Sequence, residues 1–236
     1  MKKVYITGAD RGLGFAFVNK FLKEGYKVFA GRYLEEWDDL VELKKEYPDV
    51  LKLIPLDVGE DNSVKKAAQK IKQKTDSLDI LINNAGIFYD ENGDIFEKLD
   101  FEIMKDMFNV NALGPLRVTN SVIDLLIKGQ DKILVNISSE AGSCGEAWRK
   151  MEYGYCMSKT AVNKQSVILQ NHLKDYGIKV FAIHPGYLKS YMLGEKNMEA
   201  DVEPNESAKK IYDLIKSKDK LEKHIYYDYL GEELEW

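Results

Sequence analysis

The chain has 236 residues, 44% hydrophobic and 31% charged, with a formal net charge of −5. That is enough for one large domain with a sizeable core, and the proportions exclude wholesale disorder. The acidity argues against nonspecific nucleic-acid binding, and no apolar run is long enough to cross a bilayer. Two cysteines, Cys144 and Cys156, make no disulfide framework, and three scattered histidines give no metal-ligand spacing. The expectation is a cytoplasmic protein with reduced thiols and no metal.

Residues 4–6 read as a short apolar strand running into a glycine-rich turn. Gly12–Lys23 carries apolar residues at helical spacing, and Gly25 closes that helix. Residues 27–30 and 51–56 read as strands, the second interrupted by Pro55 and followed by Asp57. Asp61 or Ser63 caps a helix with Val64, Ala67, Ala68 and Ile71 on one face. Residues 78–82 form a buried strand that ends in Asn83-Asn84-Ala85-Gly86. A long helix spans 101–127, with a kink expected at Pro115. Ile133–Ile137 is a strand ending at Ser138-Ser139, 155–176 a helix capped by Gly177, and 178–183 a strand ending at His184-Pro185-Gly186. A helix follows Pro204, and 225–227 is a last strand.

Strands alternating with helices, the strands almost continuously apolar, imply a parallel sheet covered on both faces. The fold class is therefore α/β: a single doubly wound Rossmann-type domain over residues 1–236, without repeats or linkers. In such sheets the ligand lies beyond the carboxyl ends of the strands. The polar and glycine clusters all follow strands, so they converge on one crevice.

Thr7-Gly8-Ala9-Asp10-Arg11-Gly12-Leu13-Gly14 lies between the first strand and the first helix. Its glycines permit a tight turn and close backbone approach to a pyrophosphate, and the helix N-terminus attracts the anion. With its Gly-x-x-x-Gly-x-Gly spacing, this segment resembles the loop of the short-chain dehydrogenase/reductase family. The resemblance runs through nearly the whole chain. Asn83-Asn84-Ala85-Gly86, Asn111 in Asn109-Val110-Asn111-Ala112-Leu113-Gly114, Ser139 before Glu140-Ala141-Gly142, Tyr155-Cys156-Met157-Ser158-Lys159 and Pro185-Gly186 with Ser190 are all similar to family motifs. Residues 226–236 resemble the ending of sniffer-type carbonyl reductases and the related C-factor proteins.

The resemblance implies a catalytic set of Asn111, Ser139, Tyr155 and Lys159. It implies cofactor contacts from Gly8, Asp10, Arg11, Gly12, Leu13, Gly14, Arg32, Asp57, Val58, Asn84, Ala85, Gly86, Tyr155, Lys159, Pro185, Gly186 and Ser190. The chemistry of the pair can also be argued directly. Tyr155 and Lys159 stand four apart on a helix and share a face. A free phenol titrates near pH 10, and a neighbouring ammonium lowers that value. Ser139 polarises a carbonyl oxygen. By resemblance, Lys159 also holds the nicotinamide ribose, and Asn111 keeps a water in a proton relay. One departure is that the stretch from Ser139 to Tyr155 is a few residues longer than the family's commonest spacing.

Arg11 and Arg32, two of only four arginines, fall where a ribose 2′-phosphate would sit. NADP(H) is thus the favoured cofactor, with NAD(H) kept open by Glu35 and Glu36. The implied activity is reduction of a ketone or aldehyde to an alcohol, or the reverse, on a small-molecule substrate under a lid at about 187–203. The alternative is an NAD(P)-binding signalling or regulatory protein with little turnover. The resemblance further implies a homo-oligomer, dimer or tetramer, paired through the helices at 101–127 and 155–176.

Overall fold

The computed structural model describes residues 1–89, 93–217 and 224–236. Among these, the strands are β1 (Lys3–Ile6), β2 (Lys27–Arg32), β3 (Leu51–Pro55), β4 (Ile80–Asn83), β5 (Ile133–Ile137), β6 (Lys179–His184) and β7 (Tyr226–Asp228). They form one parallel sheet in the order β3-β2-β1-β4-β5-β6-β7. The order reverses between β1 and β4, which opens a crevice at their carboxyl ends. Pro55 sits at the end of the edge strand β3, where its missing N–H breaks no ladder.

The helices are α1 (Gly12–Lys23), α2 (Asp39–Glu46), α3 (Asp61–Lys72), α4 (Phe101–Phe108), α5 (Gly114–Ile127), α6 (Tyr153–Leu173) and α7 (Pro204–Lys216). Strand alternation sends Val4 and Ile6 to one face of the sheet, where they meet Phe17 and Phe21 of α1 and Ile211 of α7. Tyr5 points the other way, into a second core with Leu81, Leu134, Val122 of α5 and Leu173 of α6. Burying each of these large apolar side chains stabilises the fold by roughly 2–3 kcal/mol. No helix among the described residues is long and apolar enough to cross a membrane.

The structure corrects the expected elements in three places. The helix over 101–127 is broken at Asn109–Leu113 by a turn of π-helix, not by Pro115. Pro115 lies in the first turn of α5, where the missing N–H costs nothing. The short helix α2 was not expected, because its apolar face is only Leu40 and Leu43. The helix expected at 155–176 begins at Tyr153 and ends in a 3₁₀ turn, Lys174–Tyr176, before Gly177 at φ +74°.

A buried polar chain ties the strand ends to the helices behind them. Asn83 Nδ2 donates to Asn136 Oδ1 at 2.8 Å and Thr119 Oγ1 at 3.0 Å. Asn136 Nδ2 donates to Ser166 Oγ of α6 at 2.9 Å. Such groups are unfavourable inside unless paired, so their pairing fixes β4, β5, α5 and α6 in one geometry.

Candidate active site

The glycine loop is held from the neighbouring strand. Thr7 Oγ1 accepts from the backbone N–H groups of Asn84 and Ala85, each at 3.0 Å. Asn84 Nδ2 donates to the carbonyls of Thr7 at 3.1 Å and Gly8 at 3.0 Å. Gly8 adopts φ +60°, and a Cβ there would stand 2.7 Å from Ala85 Cα. A Cβ on Gly14 would collide with the Gly8 carbonyl. Arg11 at the N-cap of α1 makes no side-chain cap, and no acidic residue lies in the first turn. The first-turn amides of Gly12, Leu13 and Gly14 thus remain available to an anion, a cradle that fits a dinucleotide pyrophosphate.

The four expected catalytic residues converge at the ends of β4 and β5. The π-turn lifts Asn111 out of the helical ladder and into the interior, where it is 1% exposed. Its Oδ1 accepts from Ile87 N at 2.8 Å, and its Nδ2 donates to Ile87 O at 2.9 Å and Ser158 Oγ at 3.1 Å. Lys159 is buried, with Nζ donating to Ile137 O at 3.0 Å and lying 5.6 Å from the centre of the Tyr155 ring. Ser139 caps the 3₁₀ turn Glu140–Gly142, its Oγ accepting from Ala141 N at 3.1 Å. Gly142 lets that turn lie on α6, since a Cβ would come 2.8 Å from the Lys159 carbonyl. The preceding Ser138 donates to Asn163 Oδ1 at 2.5 Å, a structural bond that leaves Ser139 as the serine at the site.

The electrostatics differ from the simple expectation that Lys159 lowers the phenol. Burial pushes Tyr155 above its ordinary value, and the nearby Ser139 hydroxyl and Arg149 charge only partly oppose it. Burial also brings Lys159 down to about 8, against the pull of Glu140. Desolvation is thus the largest influence on both groups. Phe88 packs edge-on against Tyr155 at 5.0 Å between ring centres.

Other expected contacts are partly engaged within the protein. Asp10 is buried and accepts from Tyr33 N at 3.1 Å, fixing the end of β2. Asp57 Oδ1 accepts from Gly59 N at 2.8 Å, and Val58 O accepts from Arg117 Nη1 at 2.9 Å. Arg32 Nη2 donates to the carbonyls of Glu35 at 2.6 Å and Trp37 at 3.2 Å, while its buried Nε has no partner. A groove of about 230 Å³ beside it is lined by Arg32, Tyr33, Pro55 and Asp57. Arg11 stacks on Trp37 at 5.2 Å, and Trp37 packs edge-on against Tyr191 at 4.9 Å. Pro185 O accepts from Ser207 Oγ at 2.7 Å, Gly186 adopts φ +86°, and Ser190 N donates to Leu188 O at 2.7 Å.

Sequence reasoning missed the role of Glu140. Its carboxylate accepts from Ser139 Oγ at 2.6 Å and from Arg149 Nη2, and lies 3.2 Å from His184 Nδ1. Glu140 directly follows the serine, but its partners come from positions 149 and 184, and spacing alone does not bring them together. Tyr226 was also missed; its hydroxyl donates to Ser139 O at 2.7 Å.

The short chain dehydrogenase profile matches residues 2–201. An uncharacterized oxidoreductase of Schizosaccharomyces pombe is 32% identical over 206 residues, covering 86% of this chain and 80% of that protein. The 17-beta-hydroxysteroid dehydrogenase type 6 of Bos taurus is 33% identical over 195 residues, or 81% of this chain and 58% of that one. The carbonyl reductase Sniffer of D. melanogaster superimposes with a TM-score of 0.90 over 100% of both chains at 26% identity. The NADPH-bound carbonyl reductase from chicken fatty liver gives 0.88 at 27% identity, over 100% of this chain and 99% of that one. With its Rossmann-like sheet, its glycine cradle and these likenesses, the chain belongs to the short-chain dehydrogenase/reductase family and is an NAD(P)-dependent oxidoreductase.

Proposed function

We propose that this protein reduces a ketone or aldehyde to an alcohol with NADPH, or runs the reverse reaction. The observation that carries this reading is the gathering of Ser139, Tyr155 and Lys159 at the end of β5, with Lys159 Nζ 3.0 Å from Ile137 O and 5.6 Å from the centre of the Tyr155 ring. The nicotinamide, when bound, supplies or takes the hydride. Tyr155 Oη gives its proton to the carbonyl oxygen as negative charge develops there. Ser139 Oγ, which rests on Glu140 Oε2 in the free protein, turns its proton to the same oxygen and orients it. Lys159, held near 8, replenishes the tyrosine proton close to neutral pH and holds the ribose, and Asn111 anchors the relay through Ile87.

The glycine cradle takes the pyrophosphate, and Asp57, Val58 and Asn84–Gly86 border the adenine and ribose. Arg32 and Arg11 face the 2′-phosphate and set the preference for NADP(H). The orphaned Arg32 Nε supports this, because a phosphate oxygen would satisfy a buried donor that has no protein partner. Residues 187–203, joined by the Leu188–Val202 bridge and exposing Tyr187, Leu193 and Met198, act as the substrate lid. Two copies pair through α4, α5 and α6, which expose Phe101, Leu116 and Ile168. A sedimentation profile showing monomer alone overturns that pairing.

The test is loss of nicotinamide absorbance with NADPH and NADH over a panel of aldehydes and ketones, beside Tyr155→Phe. Turnover with NADPH that the variant loses supports the reading. A preference for NADH overturns the arginine argument and leaves the enzyme. No turnover on any carbonyl overturns the reductase assignment.

A further inference from the structure

We propose that Trp37 is a positioning residue that couples the 2′-phosphate site to the lid, so that the phosphate distinguishing NADPH from NADH tightens the segment over the substrate. The inference rests on the reading of Arg11 and Arg32 as the pair that receives that phosphate. Trp37 lies half-buried on the connection between β2 and α2, and it touches both arginines and the lid. Its ring carries the Arg11 guanidinium, whose Cζ lies 5.2 Å from the ring centre. Its backbone carbonyl accepts from Arg32 Nη2 at 3.2 Å. The ring also meets Tyr191 of the lid edge-on, with centres 4.9 Å apart and planes at 68°.

A guanidinium stacked by its face keeps the N–H groups of its edge for other partners. Among the described residues no carbonyl or carboxylate holds the Arg11 side chain, so the indole is what orients it. An anion drawn to that edge and to the unpartnered Arg32 Nε narrows the positions open to the Trp37 ring. On its other side the ring meets a segment that holds itself together. Lys189 N donates to Val202 O and Val202 N to Tyr187 O, each at 3.0 Å. Asn197 N donates to Ser190 O at 2.9 Å, and Asn197 Nδ2 to Tyr187 Oη at 2.9 Å. Residues 187–202 therefore respond as one piece, and fixing Tyr191 steadies the whole of it. Coupling is reciprocal: what the phosphate lends to the lid, a closed lid returns to the phosphate.

The experiment follows amide hydrogen exchange over residues 187–203 in the wild type, Trp37→Ala, Trp37→Phe and Tyr191→Leu, each saturated with adenosine 2′,5′-bisphosphate or with adenosine 5′-monophosphate. The two probes differ by the 2′-phosphate, and neither carries a nicotinamide. In the wild type the bisphosphate should slow exchange of the segment by roughly two- to tenfold beyond the monophosphate, the scale of one cation–π and one aromatic contact. Trp37→Ala and Tyr191→Leu should erase that difference. Trp37→Phe keeps an aromatic face and edge and should retain most of it. Equal protection by the two probes in the wild type, or a difference that survives Tyr191→Leu, overturns the coupling. Tighter wild-type binding of the bisphosphate than of the monophosphate leaves the arginine reading standing in that case. If the wild type binds the two probes equally, the arginine reading and the coupling fall together. Should Trp37→Ala also speed exchange in α2, its loop has loosened, and Tyr191→Leu, which alters the lid side alone, decides.

Discussion

At the floor of the crevice Asn111, Ser139 and Lys159 are 1%, 6% and 5% exposed, and each is pinned by backbone or side-chain hydrogen bonds. At the rim Tyr187, Leu193 and Met198 are 56%, 62% and 70% exposed. A buried polar group without its partner is costly, so the floor tolerates few alternatives and its residue types are dictated. Exposed apolar groups on an irregular segment carry no such constraint, so the rim is free to vary. Precision resides below, and freedom to vary above.

The variants that break this contrast can be ranked. Tyr155→Phe should lower turnover by roughly 10²–10⁴-fold with little change in thermal midpoint, because only the proton-bearing atom is removed. Retained activity would take the chemistry away from the floor. Asn111→Ala should destabilise by about 1–3 kcal/mol, since it strands the part-buried N–H and C=O of Ile87, and chemical denaturation would read this. Arg32→Ala should reduce the preference for NADPH over NADH by roughly tenfold or more, measured as the ratio of kcat/KM values.

Acid sensitivity gives a smaller effect with a definite sign. The folded Glu140 titrates at about 2, below its ordinary 4.5. Its stabilising contribution is thus complete above that ordinary value and lost as pH falls toward the folded one. Thermal midpoints followed downward from about pH 5 should fall more steeply in wild type than in Glu140→Gln. The smallest effect belongs to the rim: Tyr187→Ala should stay within about 0.5 kcal/mol of wild-type stability while altering KM several-fold. A large loss of stability there would mean that the rim is packed as tightly as the floor.

What could be read from sequence follows the same division. Strands such as β5 announce themselves by an apolar run, Ile133–Val135, and the glycine cradle by positions where a Cβ would collide. The quartet was legible because Tyr155 and Lys159 share one helix turn and Asn111 and Ser139 lie in recognisable segments. The π-turn was not, because its five residues, Asn109–Leu113, look like ordinary helix. The expected lowering of Tyr155 by Lys159 failed for a related reason: spacing shows that two groups are near but says nothing of how dry the place is. Glu140, Arg149 and His184 meet only through the tertiary fold.

The bond from Tyr226 to the Ser139 carbonyl joins residues 87 positions apart in the chain. At roughly 5–20 residues per second, a ribosome takes about 4–17 s to travel that distance. During that interval the serine's segment has been synthesised without the strand that holds it in place. The first five strands can assemble as a scaffold while the reactive corner is still waiting for a late arrival. Biosynthesis therefore sets an order of events in which competence for chemistry comes after most of the architecture. A nascent chain stalled before β7 should be compact yet catalytically silent.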